Sequence, residues 1–236
     1  MMKYQLKYIK ATISVEEYIR DYRDVEKFMV YCKQCHCYAA CWACPPFDFD
    51  VTGRLMQYEN VHIIGTKIVL DDTLLNKCTG ERQCNEASYQ VIGEVRRELD
   101  DKLLALERQY PDSLAFFAGT CLLCGRGKCT RIDGKPCLHP AFIRPSLEAF
   151  GFDISKTTSQ LLNTDLKWGS RERLPEYFVL VGGFFTDRRD ILPTFETTSC
   201  ASTFPSLLPF RTILNFYSNC VAFGTEAKRH INQFFV

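Results

Sequence analysis

The chain has 236 residues, of which 46% are hydrophobic and 24% are charged, so it can bury a core and wholesale disorder is excluded. Its 29 Lys+Arg residues nearly balance its 28 Asp+Glu residues, which gives a formal net charge of +1. Nucleic-acid binding usually needs a concentrated basic excess, because counterion release at the phosphates supplies the affinity. We therefore expect no nucleic-acid partner.

Thirteen cysteines are the unusual feature of the composition. The first 20 residues carry scattered charges and lack the apolar segment of a secretory signal, and no apolar run approaches the roughly 18 residues of a membrane span. An odd number of cysteines without an export signal is typical of reduced thiols. We therefore expect a cytoplasmic protein without membrane association, whose cysteines serve metal or redox chemistry.

The first predicted helix begins at a capping box formed by Ser14 and Glu17. Its apolar face has spacings of 4, 3 and 4 residues and consists of Tyr18, Tyr22, Val25 and Met29. The helix leads to Cys32. The stretch from there to Pro46 has no periodicity and is rich in cysteine and proline, which predicts a rigid, irregular loop.

A strand, a long helix and a second strand come next in the sequence. β-Branched residues predict a buried strand over 61–70, and apolar residues three or four apart predict a helix over 85–110. Within this helix, the acidic pair at 100–101 is predicted to be surface charge. A short apolar strand at 113–118 then runs into a second cysteine cluster. The order predicts a βαβ-like or split unit.

A helix near 161–166 and a third strand over 177–185 complete the predicted domain, which spans residues 1–186. The pattern favours an α+β fold: a small sheet of about three strands covered by helices, with two irregular cysteine-rich metal-binding loops at one end. Residues 187–236 are predicted to be an irregular connection followed by an amphipathic helix near 213–221. Its apolar face would pack on the domain or on a second subunit, which leaves a homo-oligomer open.

The first cysteine loop offers more thiolates than one four-ligand metal site needs. Its members, all within 13 residues, are Cys32, Cys35, Cys37, Cys41 and Cys44. Thiolates two residues apart can face one metal atom or cluster, and both zinc and iron–sulfur sites use this spacing. Five buried but inert thiols at this density would be improbable.

The second cysteine loop has one C-x2-C pair followed by single cysteines at widening spacing. Its members are Cys121, Cys124, Cys129 and Cys137. Interspersed glycines let the backbone approach closely and direct amide groups at sulfur. This pattern favours one or two [4Fe–4S] clusters over zinc. A single site with ligands from both loops is a further alternative.

Several residues near the loops are candidates for supporting roles. Arg144 and Ser146 could bind a cofactor by donating hydrogen bonds to a cluster or an anionic ligand, whereas the alternative is a capped helical turn ended by Gly151. His36 and His139 are expected to hydrogen-bond rather than to ligate. The remaining cysteines are predicted to be buried free thiols: Cys78, Cys84, Cys200 and Cys220. No phosphate loop, nucleophile elbow or H-E-x-x-H motif predicts side-chain catalysis.

The two motifs resemble those of a family of small cysteine-rich prokaryotic proteins described as metal-binding and of unknown function. The first motif is matched by Cys32, Cys35, Tyr38, Trp42, Cys44, Pro45 and Pro46. The second is matched by Ala118, Gly119, Cys121, Cys124, Gly134, Pro136, Cys137, Arg144, Pro145, Ser146, Glu148, Ala149, Gly151 and Asp153. Ala39 stands where the family pattern has glycine, and Cys37 and Cys41 lie outside the pattern. The resemblance covers about residues 20–186 and implies metal binding, with the fourth ligand of the first site open between Cys37 and Cys41.

Three functional hypotheses follow from these observations. The leading one is an iron–sulfur protein that transfers electrons, or serves as a redox subunit of a larger system, together with a redox partner protein. The second is a binding module in which zinc only stabilises the loops, without a redox role. The third is a metal carrier that holds labile metal in the first loop. In each case we expect the sulfurs of the two loops to lie close together.

Overall fold

The protein is described by a computed structural model that covers residues 4–125, 127–170 and 172–191. Its centre is a four-stranded sheet with the strand order β1-β2-β4-β3, in which each neighbouring pair is antiparallel. The strands are β1 (Tyr4–Ser14), β2 (Asn60–Leu70), β3 (Ser113–Phe116) and β4 (Tyr177–Thr186). The mixed helix-and-strand fold is as predicted, but the sheet has four strands rather than three.

Strand β1 is the one that the sequence analysis overlooked. It lies at the edge of the sheet and pairs with β2 over its whole length, from Tyr4 opposite Leu70 to Ser14 opposite Asn60. Leu6 is its one fully buried residue. Alternating apolar residues separated by lysines and other polar side chains are typical of such a half-exposed strand.

Six helices accompany the sheet in the part of the chain that the structure describes. They are α1 (Val15–Tyr22), α2 (Val25–Gln34), α3 (Val51–Leu55), α4 (Asp72–Lys77), α5 (Glu81–Gln109) and α6 (Ile154–Lys156). The predicted cap is confirmed, because the Ser14 hydroxyl accepts a hydrogen bond from the Glu17 amide at 3.2 Å. The predicted helix leading to Cys32 is divided, because Asp24 caps a new helix by accepting from the Lys27 amide at 3.0 Å. The helix predicted near 161–166 is absent: a π-helical turn over Thr157–Leu161 follows α6 and stops there.

The long helix α5 connects β2 to β3 by a split crossover. Both strands run antiparallel to β4, so β2 and β3 are parallel to each other with β4 inserted between them. This confirms the split form of the predicted unit. Because β4 is covered on both faces, it is an almost continuous apolar run rather than an alternating one.

The core lies on both faces of the sheet. One face packs against α5 through residues that include Ile64, Ile68, Val95, Leu99, Leu103, Phe178 and Phe184. The other face is covered by α1 and the segment 147–162, through residues that include Val15, Tyr18, Ile63, Phe116, Leu147, Phe152 and Phe185. The sheet is therefore a fixed frame from which the cysteine loops project.

Both cysteine loops lie beside the β3 edge of this frame. Strand β3 is only four residues long, and its last residue, Phe116, pairs with Gly183 partway along β4. The chain then makes one bridge, from Phe117 to Ser146, and leaves the sheet at its edge. The helix predicted at 213–221 and most of the predicted 187–236 region lie outside the described residues. None of the helices described is long and apolar enough to span a membrane.

Candidate metal centre

The first loop begins in the last turn of α2, which contains Cys32, and continues in tight turns. The amide of Cys35 donates to the carbonyl of Cys32 at 3.0 Å, and the amide of Cys44 donates to the carbonyl of Cys41 at 3.0 Å. All four of these cysteines are buried, with 7–8% of their surface exposed. Each C-x2-C turn therefore places two buried cysteines in the interior, and the Cys41 and Cys44 thiols are in contact.

Five thiols from both loops form a continuous hydrogen-bonded chain. Cys37 bonds to Cys35 and Cys44, Cys41 bonds to Cys44, and Cys41 also bonds to Cys121 of the second loop. The expectation that the two loops meet is therefore realised at the Cys41–Cys121 contact. Both Cys37 and Cys41, which lie outside the family pattern, are part of the chain.

Contacts among these thiols shift their pKa values in opposite directions. Hydrogen-bond contacts with Cys35 and Cys44 lower the pKa of Cys37 well below the ordinary thiol range, and contacts with Cys121 and Cys44 lower that of Cys41 to about 3. The same contacts raise the pKa of Cys35, Cys44 and Cys121, and burial raises it further. Contacts within this cluster therefore stabilise negative charge on part of its thiols, and thiolate is the form of cysteine that binds metal.

Backbone amides support the sulfurs in a repeated pattern. In each case the amide two residues after a cysteine donates to its sulfur. The Cys37 amide donates to the Cys35 sulfur and the His139 amide to the Cys137 sulfur, each at 3.3 Å. The Ala43 amide does the same for Cys41, and the Leu123 amide does so for Cys121. Amide donors of this kind stabilise negatively charged sulfur and tune a bound metal centre.

The other second-loop cysteines lie around this chain of thiols. Cys121 and Cys129 pack against the buried cluster formed by Cys41, Ala43 and Cys44. All four second-loop cysteines are half-buried. Burial first, and then the charges of Cys129, Cys137 and Cys41, raise the pKa of Cys124.

A smaller donor group lies inside the first loop. The ligand atoms of Cys35, His36 and Cys37 all lie within 4.8 Å of one another. His36 also hydrogen-bonds to the Cys37 sulfur, which matches the predicted supporting role. Cys32 lies nearby, and burial raises its pKa to about 11, with the Glu148 carboxyl as a smaller cause.

Arg131 joins the two loops, and the sequence analysis did not single it out. Its guanidinium donates to the carbonyl of Cys41 at 2.8 Å, to that of Cys44 at 2.6 Å and to that of Pro46 at 2.5 Å. It also lies 5.1 Å from the centre of the Trp42 ring. The Trp42 indole in turn donates to the carbonyl of Lys135 at 3.0 Å, so contacts cross between the loops in both directions.

Arg144 and Ser146, the two predicted cofactor contacts, have partners within the fold. Arg144 binds the Glu107 carboxylate through its Nε at 2.8 and 2.9 Å and through Nη2, and its Nη1 donates to two backbone carbonyls. The Ser146 hydroxyl accepts from the Ala149 amide at 3.2 Å, and the turn ends at Gly151 with a φ of 88°. This is the capped turn that the sequence analysis gave as the alternative, and the cofactor role stays a prediction.

A buried charged group lies beneath the second loop. Arg96, on α5 and 1% exposed, donates to the carbonyl of Thr120 at 2.5 Å and lies 3.9 Å from Asp100. Together with Glu148 it lines a cavity of about 40 Å³. Burial raises the pKa of Asp100 and that of Glu148 to about 7. The prediction that Asp100 is surface charge is wrong, because its side chain is only 16% exposed.

The isolated cysteines that the structure describes are buried, as expected. Cys78 follows the end of α4 and Cys84 lies in the first turn of α5, where its thiol donates to the carbonyl of Cys78 at 3.6 Å. Cys200 and Cys220 lie outside the described residues.

The comparisons with known proteins agree with this geometry. A family model described as "Predicted metal-binding protein (DUF2284)" matches residues 18–182, so the chain belongs to this family of predicted metal-binding proteins of unknown function. Searches among curated proteins and among solved structures found no match. The matched span contains both cysteine loops. Family and site together define a metal-binding protein.

Proposed function

We propose that the protein binds iron–sulfur clusters of the [4Fe–4S] type through its two cysteine loops and transfers single electrons, alone or as a subunit of a larger redox system. The observation that carries this proposal is the chain of five thiols, from Cys35 to Cys121, that crosses between the loops. A thiolate-bound cluster takes up or releases one electron at a potential set by its surroundings.

The donor set fits such a cluster in its chemistry. The sulfurs are supported by amide donors at Cys35, Cys41, Cys121 and Cys137, which is the kind of support that stabilises cluster charge. We assign Cys41 to the same centre as the second-loop cysteines, because it contacts Cys121 directly. Cys37 then remains with Cys35 and Cys44 in the first loop.

The residues around the sulfurs would set the properties of the centre. The buried first loop limits access of water, and the half-buried second loop keeps the centre close to the surface, where electrons can be exchanged. Arg131 fixes the two loops relative to each other. No step in this function requires a catalytic side chain.

The decisive experiment measures iron, zinc and acid-labile sulfide per chain in protein purified without oxygen. We expect about four to eight iron atoms with matching sulfide and a broad absorption band near roughly 400 nm. Cys121→Ala should lose much of the iron and sulfide. Cys84→Ala is the matched control, because it removes a buried thiol far from the loops, and it should keep both. A colourless, sulfide-free protein would overturn the proposal.

A structural zinc site is the second candidate, and one observation favours it. Cys35, His36 and Cys37 include an imidazole, which zinc accepts readily, and their ligand atoms are within 4.8 Å of one another. Two sulfurs that each lie about 2.3 Å from one zinc ion are themselves separated by less than 4.8 Å. One or two zinc ions without sulfide would support this function, and His36→Ala would then reduce the zinc content, whereas His139→Ala would not.

A further inference from the structure

Exposed apolar side chains are concentrated on the second cysteine loop. Ten large hydrophobic residues are exposed in the part of the chain that the structure describes. Half of them lie in this one loop: Leu122, Leu123, Ile132, Leu138 and Phe142. Single exposed apolar residues are ordinary, but a concentration in one short segment marks an interaction site.

These side chains stand next to the half-buried thiols. Leu122 and Leu123 separate Cys121 from Cys124, and Leu138, at 65% exposed, directly follows Cys137. A molecule that covers the apolar residues would therefore lie against the metal centre. Position and exposure point to contact with a partner at the place where electrons would leave or enter.

The same segment is basic. Residues 121–144 contain five of the 29 Lys+Arg residues and one of the 28 Asp+Glu residues, which leaves 24 against 27 in the rest of the chain. Arg131 and Arg144 are used in contacts within the fold, but Lys128 and Lys135 are exposed. Lys135 has only a loose ion pair with Asp133, with 4.0 Å between the charged atoms. The two side chains are 70% and 64% exposed, so the pair neutralises little of the Lys135 charge.

We propose that the loop patch, formed by Leu122, Leu123, Lys128, Ile132, Lys135 and Leu138, docks a small acidic electron-carrier protein. This inference rests on the proposed iron–sulfur function. A small apolar centre with a basic rim is suited to a transient complex, in which opposite charge speeds encounter and little area is buried. A second copy of the chain is a poorer occupant, because a two-fold dimer would set basic patch against basic patch.

The test is binding of a fluorescently labelled acidic flavodoxin to the metal-loaded full chain, measured by anisotropy. We expect binding at low salt that weakens about tenfold or more at 0.3 M salt. Lys128→Glu with Lys135→Glu should weaken binding by a similar factor at low salt, and Leu138→Ser should weaken it at either salt concentration. The matched controls Lys7→Glu, on β1, and Met56→Ser, after α3, should bind like the unchanged chain.

The outcomes separate this inference from the function on which it rests. Absence of flavodoxin binding, or equal losses in the control variants, would overturn the docking site. A dimer in sedimentation that Leu138→Ser converts to monomer would assign the patch to self-association instead. Iron, zinc and sulfide are measured on the same samples. Zinc without sulfide would overturn the electron-transfer function, whereas the docking site is judged from the flavodoxin binding alone.

Discussion

The two cysteine loops differ in how the fold supports them. Four of the five thiols of the first loop are buried at 7–8% exposure, whereas every thiol of the second loop is half-buried. The first loop follows α2 and is continued by Phe47, which packs edge-on against Phe150 of the core at 5.1 Å. The second loop leaves a four-residue edge strand and contributes little to the core. The first loop is thus part of the folded body, whereas the second is held mainly by contacts with the first.

Removal of metal should produce the largest difference between the two loops. Metal binding contributes folding free energy directly where a loop has little core of its own. We expect a chelator, with a reductant, to raise amide hydrogen exchange more than about tenfold across residues 121–143. The increase should be smaller over 32–46 and absent in β2 and β4. Equal protection of both loops without metal would contradict the comparison.

Arg131→Met tests the main contact between the loops. The change removes hydrogen bonds to three carbonyls of the first loop, and a charged donor contributes about 1.5–3 kcal/mol to such a bond. We expect the free energy of unfolding to fall by about 2–3 kcal/mol and the metal content to fall with it. Arg131→Lys should recover part of the loss.

The matched control is Arg97→Met, because Arg97 is an exposed arginine on α5. Denaturant unfolding of the three variants measures the difference. A loss in Arg97→Met as large as in Arg131→Met would show that charge alone, rather than the link between loops, is responsible.

Glu148→Gln should change how stability depends on pH. Burial raises the pKa of Glu148 to about 7, above its value in the unfolded chain, so the folded state binds the extra proton between about pH 4.5 and 7. Stability from this group is therefore present at low pH and is lost as pH rises through 7. We expect the variant to be more stable than the unchanged protein by about 1–2 kcal/mol at pH 8 and equal to it near pH 5.

Urea unfolding at several pH values measures this slope. Glu94→Gln, at a half-buried position on α5, is the control and should leave the slope unchanged. An identical slope in Glu148→Gln would mean that the carboxyl ionises normally in the folded protein.

Ala39→Gly is expected to have the smallest effect and the opposite sign. Ala39 has a φ of 55°, in the left-handed region that costs a residue with a Cβ about 1 kcal/mol, and its amide donates to the carbonyl of Pro45 at 2.8 Å. The motif that the sequence resembles has glycine at this position, and the left-handed φ is a physical reason for it. We expect the first loop to become more stable by up to about 1 kcal/mol in thermal unfolding. Ala40→Gly, at the next position with an ordinary φ, should destabilise instead.

The sequence predicts the parts of the fold that have a clear period. Helix α5 and strands β2 and β4 carry long apolar patterns, and their predicted bounds differ from the observed ones by a few residues at most. Strand β1 was missed because its lysines look like a charged terminus, although Leu6 and its neighbours alternate. The break at Asp24 was missed because the apolar spacing continues through Val25, which is 39% exposed in the structure.

The sequence predicts which cysteines form the site but not which residues are in contact there. Cysteine spacing identifies both loops, but the contact between Cys41 and Cys121 joins residues 80 positions apart, and only the folded sheet determines it. Arg131 has no sequence signature, because its partners are backbone carbonyls. Asp100 was misassigned because a carboxyl beside a second carboxyl, Asp101, is usually solvated. Its burial arises only in the folded chain.

The insertion of β4 between β2 and β3 has a consequence for how the protein is made. On the ribosome, both cysteine loops are synthesised before residues 177–186 exist, and β3 has no other strand to pair with among the described residues. At about 5–20 residues per second, roughly 2–10 s separate the synthesis of Cys137 from that of Thr186. During this interval the nascent chain holds the nine thiols of the two loops without its completed sheet. We therefore expect metal to be delivered after β4 is translated.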